Sequence, residues 1–213
     1  MRNCTGSLCP TTRRPPPRRA AIKPGQTGAG PRARRSTLAA PAVQAGPALP
    51  EPCLVRIERI QPDHPLYAQE CALREQVLLR PVGCDMDRFR VEYPGMEEGF
   101  IHFVAVVDHP TGPRVVGTAL LFPNYPEPGT GKVMQVAVDL QRQGEGIGRN
   151  LIIAIESHGF GRLGLREIFC HSQLSAVEFY ERLGWVADEG IFMEMGIGHR
   201  RLAIRDADAG HTQ

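Results

Sequence analysis

From residue 53 onward the apolar positions of this chain recur with a period of two or of nearly four; before it they do neither. CLVRIERI (53–60) alternates Leu54, Arg56 and Glu58 against Val55, Ile57 and Arg59, the pattern of an edge strand. HPLYAQECALREQVLL (64–79) sets Leu66, Leu73 and Val77 along one helical face, and Pro81 and Gly83 stop it. Residues 81–99 keep no period and predict no element. FIHFVAVVD (100–108) and RVVGTALLF (114–122) are β-rich runs around the turn HPTGP and predict a hairpin; the loop PNYPEPGTG follows. GKVMQVAVD (131–139) is a continuous apolar run, as in a strand buried on both faces.

QRQGEGIGRNLI (141–152) then places three glycines at alternate positions. Ile147, Leu151 and Ile155 recur at i, i+4 and i+8, so a helix starts near Gly146. LREIFCH (165–171) predicts a strand. AVEFYERL (176–183) predicts a short helix with Ala176, Phe179, Tyr180 and Leu183 on one face, ended by Gly184. From Trp185 through GHRRLAIR (198–205) the pattern is irregular β. The order β α β β β α β α β β is that of an α/β domain with a mixed sheet, built round a strand–glycine loop–helix unit. The chain divides into a tail (1–50), a domain (51–205) and a frayed C-terminal end (206–213).

Charge changes the picture of the tail. The whole chain has 25 basic and 23 acidic residues, but residues 1–50 hold nine of the basic ones, nine prolines and no acid. The remaining 163 residues are therefore acidic, with 16 basic residues against 23 acidic ones, and the basic pI marks no nucleic-acid surface on the domain. A tail with so few bulky apolar groups cannot offset its ordering entropy and is expected to be disordered. Its Arg-rich, acid-free composition is that of an organellar transit peptide, although it holds just two serines, Ser7 and Ser36. A translated upstream stretch or a solvated tail is the alternative. The expected location is cytoplasmic, or chloroplast or mitochondrial on the transit reading. No run approaches the ~20 apolar residues of a membrane helix. Six scattered cysteines, without C-x-x-C or a nearby histidine pair, argue against a metal site and for reduced thiols.

A strand running into a glycine loop at a helix N-terminus suits an anion, because unpaired amides and the helix dipole point at it. A P-loop would need G-x-x-x-x-G-K-[ST], and Gly131-Lys132-Val133 lacks both the earlier glycine and the hydroxyl. A dinucleotide loop would need a third glycine where Arg149 stands. What fits is Q-x-x-G-x-G, at Gln143, Gly146 and Gly148.

In that form QVAVDLQRQGEGIGRNLI resembles the acetyl-CoA-binding motif of the GNAT N-acetyltransferase superfamily. CHSQLSAVEFYERLGW resembles the motif's second half. FMEMGIGHRRL is similar to the F-x-E-x-G-I-P-H ending of the ElaA-like branch, with Gly198 in place of proline. ALREQVLL is similar to that branch's L-R-x-x-V-F, with Leu78 in place of phenylalanine. The resemblance spans about residues 53–204. It implies the GNAT acyl-CoA N-acyltransferase fold and transfer of an acetyl group from acetyl-CoA to a primary amine by direct attack. The acceptor would be a small molecule or a peptide, with no metal, nucleic acid or membrane involved and a homodimer left open. A non-catalytic acyl-CoA sensor or scaffold of the same fold is the alternative.

The resemblance also distributes roles. The loop Gln143, Gly144, Glu145, Gly146, Ile147, Gly148 and Arg149 would receive the pyrophosphate. The backbone of Val136, Ala137 and Val138, splayed from the neighbouring strand, would hydrogen-bond the pantetheine and acetyl group as an added strand does. Gln173 would contact the pantetheine arm or cap the following helix. Tyr180 would protonate the CoA thiolate, or serve as a core aromatic. The amine must lose a proton, and Glu194 or His199 would take it, with His102, Asp139 or water as alternatives. Gln135 cannot titrate, and Cys170 is expected to be a buried thiol rather than a nucleophile. The acceptor region, residues 81–99 and 123–131, holds Asp85, Asp87, Glu92, Glu97, Glu98 and Glu127, which would draw a cationic amine or form a solvated face.

Overall fold

The computed structural model of the chain describes residues 54–207. The readings of residues 1–50, of Cys4, Cys9 and Cys53, and of the C-terminal end from residue 208 lie outside the described residues. Seven strands form one sheet: β1 (Arg56–Ile60), β2 (Ile101–Val107), β3 (Arg114–Pro123), β4 (Thr130–Val138), β5 (Glu167–Gln173), β6 (Val186–Glu194) and β7 (Ile197–Arg205). Their order across the sheet is β1-β2-β3-β4-β5-β7-β6, with β4 and β5 parallel and every other neighbouring pair antiparallel. The irregular β stretch after Trp185 is a hairpin whose register shifts between Ala187 and Ile191, turned at Met195 and Gly196, both at positive φ. Residues 81–99 hold two helices, α2 (Met86–Glu92) and α3 (Met96–Gly99). At seven and four residues they are too short to repeat an apolar stripe. Asp85 starts α2 by accepting the Arg88 amide at 2.8 Å.

Alternation along β2 separates the two faces of the sheet. Phe103, Ala105 and Val107 join Leu121, Val133 and Ile168 under the long helix α4 (Ile147–Gly161), whose Ile147, Leu151, Ile152 and Ile155 are buried against them. The helix approaches so closely that a Cβ on Gly117 of β3 would lie 2.7 Å from Ile147 Cγ2. Truncating one such core side chain to alanine costs about 2–5 kcal/mol. The period-four reading of this helix and the structure agree.

The opposite face is different in kind. α1 (Tyr67–Arg74), which runs on through a π-helical turn at Glu75–Leu79, lies there. Its buried side includes Glu70 and Arg74 beside Leu73, so the stripe Leu66–Leu73–Val77 understates what it buries. Arg74 grips Glu97 of α3 with both terminal nitrogens, at 2.9 and 2.6 Å, and lies 3.8 Å from Glu70. His102 of β2 donates to Glu70 at 2.9 Å and to the Glu97 carbonyl at 3.1 Å; Thr118 and Tyr67 donate to the two carboxylates at 3.0 and 2.6 Å. Charges buried this deeply persist because each is paired and hydrogen-bonded.

The same cluster shapes β4. Arg74 Nε donates to Gln135 Oε1 at 2.5 Å, and Gln135 sits at φ 48°, inside a bulge that shifts the β3–β4 register between Met134 and Ala137. At this level β4 also leaves β5. Their parallel pairing runs from Thr130↔Glu167 to Val133↔Cys170 and stops. Beyond it Met134–Val138 stay with β3, and His171–Gln173 stay with β7. The sheet therefore forks. The reading of β4 as buried on both faces holds for its first half; from Met134 to Val136 it is half-exposed.

Candidate active site

The fork is flanked by the glycine loop on one strand and by α5 (Val177–Glu181) beyond the other. Asp139 ends β4 by accepting the Gln141 amide at 2.9 Å. Gly144 and Gly146 follow at φ 86° and 80°, and a Cβ on either would meet nothing within 4 Å. Gly146 caps α4 without a side-chain hydrogen bond, so the first-turn amides at Ile147, Gly148 and Arg149 are left to an external acceptor. Open space above two left-handed glycines and uncapped amides at the start of a 15-residue helix is a cradle that fits a pyrophosphate. Gly148 differs from Gly144 and Gly146: a Cβ there would make ordinary contact with Phe179 at 3.5 Å and Val138 at 3.7 Å. Arg142 draws the Glu145 carboxylate aside at 2.6 Å. The Gln143 amide reaches back to the Val138 carbonyl at 3.4 Å.

Between the loop and the fork, Met134–Val138 carry backbone with no strand on the β5 side, and Ala137 is buried between half-exposed Val136 and Val138. That edge can accept one more extended chain. Across the fork, Gln173 stands at its upper end and makes no side-chain cap bond, which removes the capping alternative. Tyr180 of α5 lies beneath, packed on Phe179 and Trp185 at ring separations of 4.9 and 5.3 Å. Its hydroxyl lies against the Cys170 thiol at the foot of the fork. Burial raises the phenol well above its ordinary pKa, with Cys170 adding to the effect. Burial likewise pushes the Cys170 thiol up to about 12, so it stays protonated and is no nucleophile.

The sheet face opposite α4 carries the titratable groups. His171 is the first β5 residue past the last β4 pair, and its Nδ1 donates to Glu194 Oε2 of β6 at 3.1 Å. That bond leaves Nε2 with its lone pair. Burial lowers the His171 pKa, the nearby Lys132 ammonium lowers it further, and Glu194 offsets part of the fall. The Phe192 ring lies edge-on to His171 at 4.8 Å and roughly parallel to His199 at 6.1 Å. His199 is buried, paired across β5 with Gln173, and its Nδ1 donates to the Ile197 carbonyl at 2.9 Å. The structure thus brings Glu194, His199, Gln173 and the fork strands together. His102 it does not: that ring is wholly buried beneath α1.

Sequence reading passed over His171. The signal was present, since alternation in IFCHSQ sets Phe169, His171 and Gln173 on one face of the strand. The acidic region is largely a solvated face, with Glu97 as its buried member. Asp87 pairs with Arg90, Glu92 with Arg88 and Glu97 with Arg74, while Asp85 caps α2. Most of those carboxylates serve neighbouring groups. Among the described residues no cluster of three or more His, Cys, Asp or Glu side chains could hold a metal ion, and no helix is long and apolar enough to cross a membrane.

The comparisons with known proteins agree with this geometry. The chain is similar to Escherichia coli ElaA, at 16% identity over 72% of this chain and 100% of that one, with a TM-score of 0.57. It is similar to an acyl-CoA N-acyltransferase from Pseudomonas aeruginosa (17%, 71% and 99%, TM-score 0.54). A spermidine N-acetyltransferase chimera of Vibrio cholerae SpeG and hSSAT also shares the fold (18%, 74% and 99%, TM-score 0.53). No curated protein matches. Residues 72–185 match the model of the acetyltransferase (GNAT) family, more than half of the chain and the span from the last turn of α1 through α5, and the chain belongs to that family.

Proposed function

We propose that the protein transfers an acetyl group from acetyl-CoA to a primary amine by direct attack, within the fork between β4 and β5. The observation that carries this reading is the coincidence of three features at one place. These are unpaired β4 backbone, an uncapped α4 N-terminus behind left-handed glycines, and a neutral imidazole held by a carboxylate. Acetyl-CoA supplies an activated thioester, and the chain supplies position and proton transfer. The amides of residues 146–149 hold the pyrophosphate. The free edge at Val136–Val138 aligns the pantetheine and offers an N–H to the acetyl oxygen, where negative charge grows as the amine adds.

Glu194 acts through His171 rather than directly: it fixes the tautomer that leaves Nε2 basic. An alkyl ammonium with a pKa of roughly 10 gives its proton to that nitrogen and then attacks as the neutral amine. The C–N bond forms, the C–S bond breaks, and the amine's second proton leaves to solvent. Tyr180 faces the departing sulfur. Its raised pKa makes it a reluctant acid but a donor that stays neutral throughout the physiological range, so it stabilises the thiolate by a hydrogen bond. His199, with Nδ1 committed to Ile197, lines the acceptor side.

Release of free thiol from acetyl-CoA in the presence of an amine pool tests the reading directly. Gly146→Asp places a carboxylate where the pyrophosphate would sit and should abolish acetyl-CoA affinity while the fold persists. Unchanged affinity by calorimetry would remove the loop from the site. Tight binding with no thiol released for any amine would make the protein an acyl-CoA sensor.

A further inference from the structure

On the α1 face of the sheet a cavity of about 330 Å³ opens beside β4 and β5, below the fork. Its floor is the register pair Lys132↔Phe169, and its upper limit is His171. A molecule lying in it would present one end to the His171 ring and leave the other among Tyr125, Lys132 and Arg201.

The charges there are unequally committed. Arg201 is hydrogen-bonded to Glu167, lies 3.4 Å from Asp188, and stacks over Phe169 at 4.7 Å. Glu167 also accepts from Arg205 at 2.8 Å. Glu194 is bonded to His171, and Glu127 is exposed on the loop at the rim. Lys132 is the exception. Its ammonium sits 5.8 Å from the Tyr125 ring centre and 6.0 Å from that of Phe169, and makes no hydrogen bond or ion pair among the described residues. Glu194 attracts it through space, yet burial outweighs that attraction and lowers its pKa. An ammonium stripped of part of its water, with three unused donors facing a cavity, is the complement of an anionic oxygen.

We propose that this cavity is the acceptor subsite and that Lys132 binds an anionic group on the acceptor, so that the substrate is an amine that also carries a carboxylate or a phosphate. The inference rests on the acetyl-transfer reading. Lys132 and His171 lie on adjacent strands two residues apart in register, roughly 7 Å along the strand direction. The amine and the anion are therefore separated by several bonds on one small molecule. A polyamine, with no anion to offer, would meet Lys132 and Arg201 as like charges.

The experiment compares ω-amino carboxylates of increasing chain length with their carboxamides, with aminoalkyl phosphates and with spermidine, in the full chain and in Lys132→Met. In the parent, kcat/KM for the best amino carboxylate or amino phosphate should exceed that of its uncharged counterpart by about 10- to 100-fold, the discrimination expected of one charge-assisted hydrogen bond. Whichever anion gives the larger ratio identifies the source. In Lys132→Met the ratio should fall to near one, mainly through KM, and Lys132→Arg should recover part of it. Acetyl-CoA affinity should match the parent's in both variants. Calorimetry of the same ligands in the presence of CoA reads the subsite independently of turnover, so loss of binding in Lys132→Met supports it even if no amine is acetylated and the acetyl-transfer reading fails. Equal ratios in parent and Lys132→Met, or a preference for spermidine, would overturn the proposal.

Discussion

Among the described residues are two imidazole–carboxylate pairs of nearly the same length, and they behave in opposite ways. His102 meets Glu70 at 2.9 Å under α1; His171 meets Glu194 at 3.1 Å at the fork. In the first pair both side chains are wholly buried, and each ring nitrogen faces an acceptor, a carboxylate on one side and a carbonyl on the other. With an acceptor at each nitrogen, the arrangement favours the imidazolium. Burial alone would lower its pKa, but the Glu70 bond outweighs burial and the net shift is upward. In the second pair the carboxylate is 46% exposed, one nitrogen is engaged, and the net shift is downward. The first pair is a cross-link. The second keeps an idle lone pair at a forked sheet, which is what proton transfer needs. A short His–Glu distance therefore identifies neither role; the second nitrogen and the surrounding charges do.

The largest expected effect breaks the buried member of the comparison. Arg74→Met leaves Glu97 in the interior without its cation, while Glu70 keeps His102, and should cost about 3–5 kcal/mol in urea unfolding. Glu194→Gln, at the half-exposed pair, should cost less than about 1 kcal/mol. Similar losses at both sites would erase the distinction between them.

Next comes activity. His171→Asn should lower kcat by roughly 10²- to 10³-fold while the melting temperature moves little. His199→Asn should lower it less. The reverse ranking would transfer the base to His199. Tyr180→Phe keeps the ring and should lower kcat by about 10²-fold with acetyl-CoA affinity retained. A free phenol would titrate near 10, but burial raises this one well above that, so the parent's rate should show no decline attributable to Tyr180 around pH 10. A decline there that vanishes in Tyr180→Phe would mean that the phenol is solvated in the working enzyme.

The smallest effects are in pH, and they carry opposite signs. His102 has a folded pKa above its unfolded value, so its stabilisation is complete below about 6.5 and is lost as pH rises through the folded pKa. The melting temperature should decline over that range, and His102→Gln should flatten the decline. Activity should respond the other way. His171 must be neutral, so the rate should fall only as pH drops through a value below about 6.5.

Legibility divided along the same line. The strand–glycine loop–helix unit was readable because Ile147, Leu151 and Ile155 repeat and because Gly144 and Gly146 need left-handed backbone. The hairpin around HPTGP was readable for its two apolar runs. The polar cluster was not, since Glu70 and Arg74 look like an exposed helix face until Glu97 and His102, distant in sequence, close over them. The bulge at Gln135 was hidden for the same reason: its side chain is held by Arg74, 61 residues away. Within the site, the residues placed by local motif fell around the fork. His171 and Lys132 gain their meaning from strands that meet only in three dimensions.

The forked sheet has a mechanical consequence. Four residue pairs join β1–β4 to β5–β7–β6, two leaves stitched along a short seam, with α4 packed mainly on the first leaf. In amide exchange the leaf containing β6 and β7 should open before β2 and β3, whose side chains are more deeply enclosed. A molecule lodged in the fork would add hydrogen bonds to the first leaf and contacts to the second. Occupancy would then show as slower opening of the whole second leaf, far beyond the residues it touches, and the protein would become a more cooperative solid while it holds its cargo.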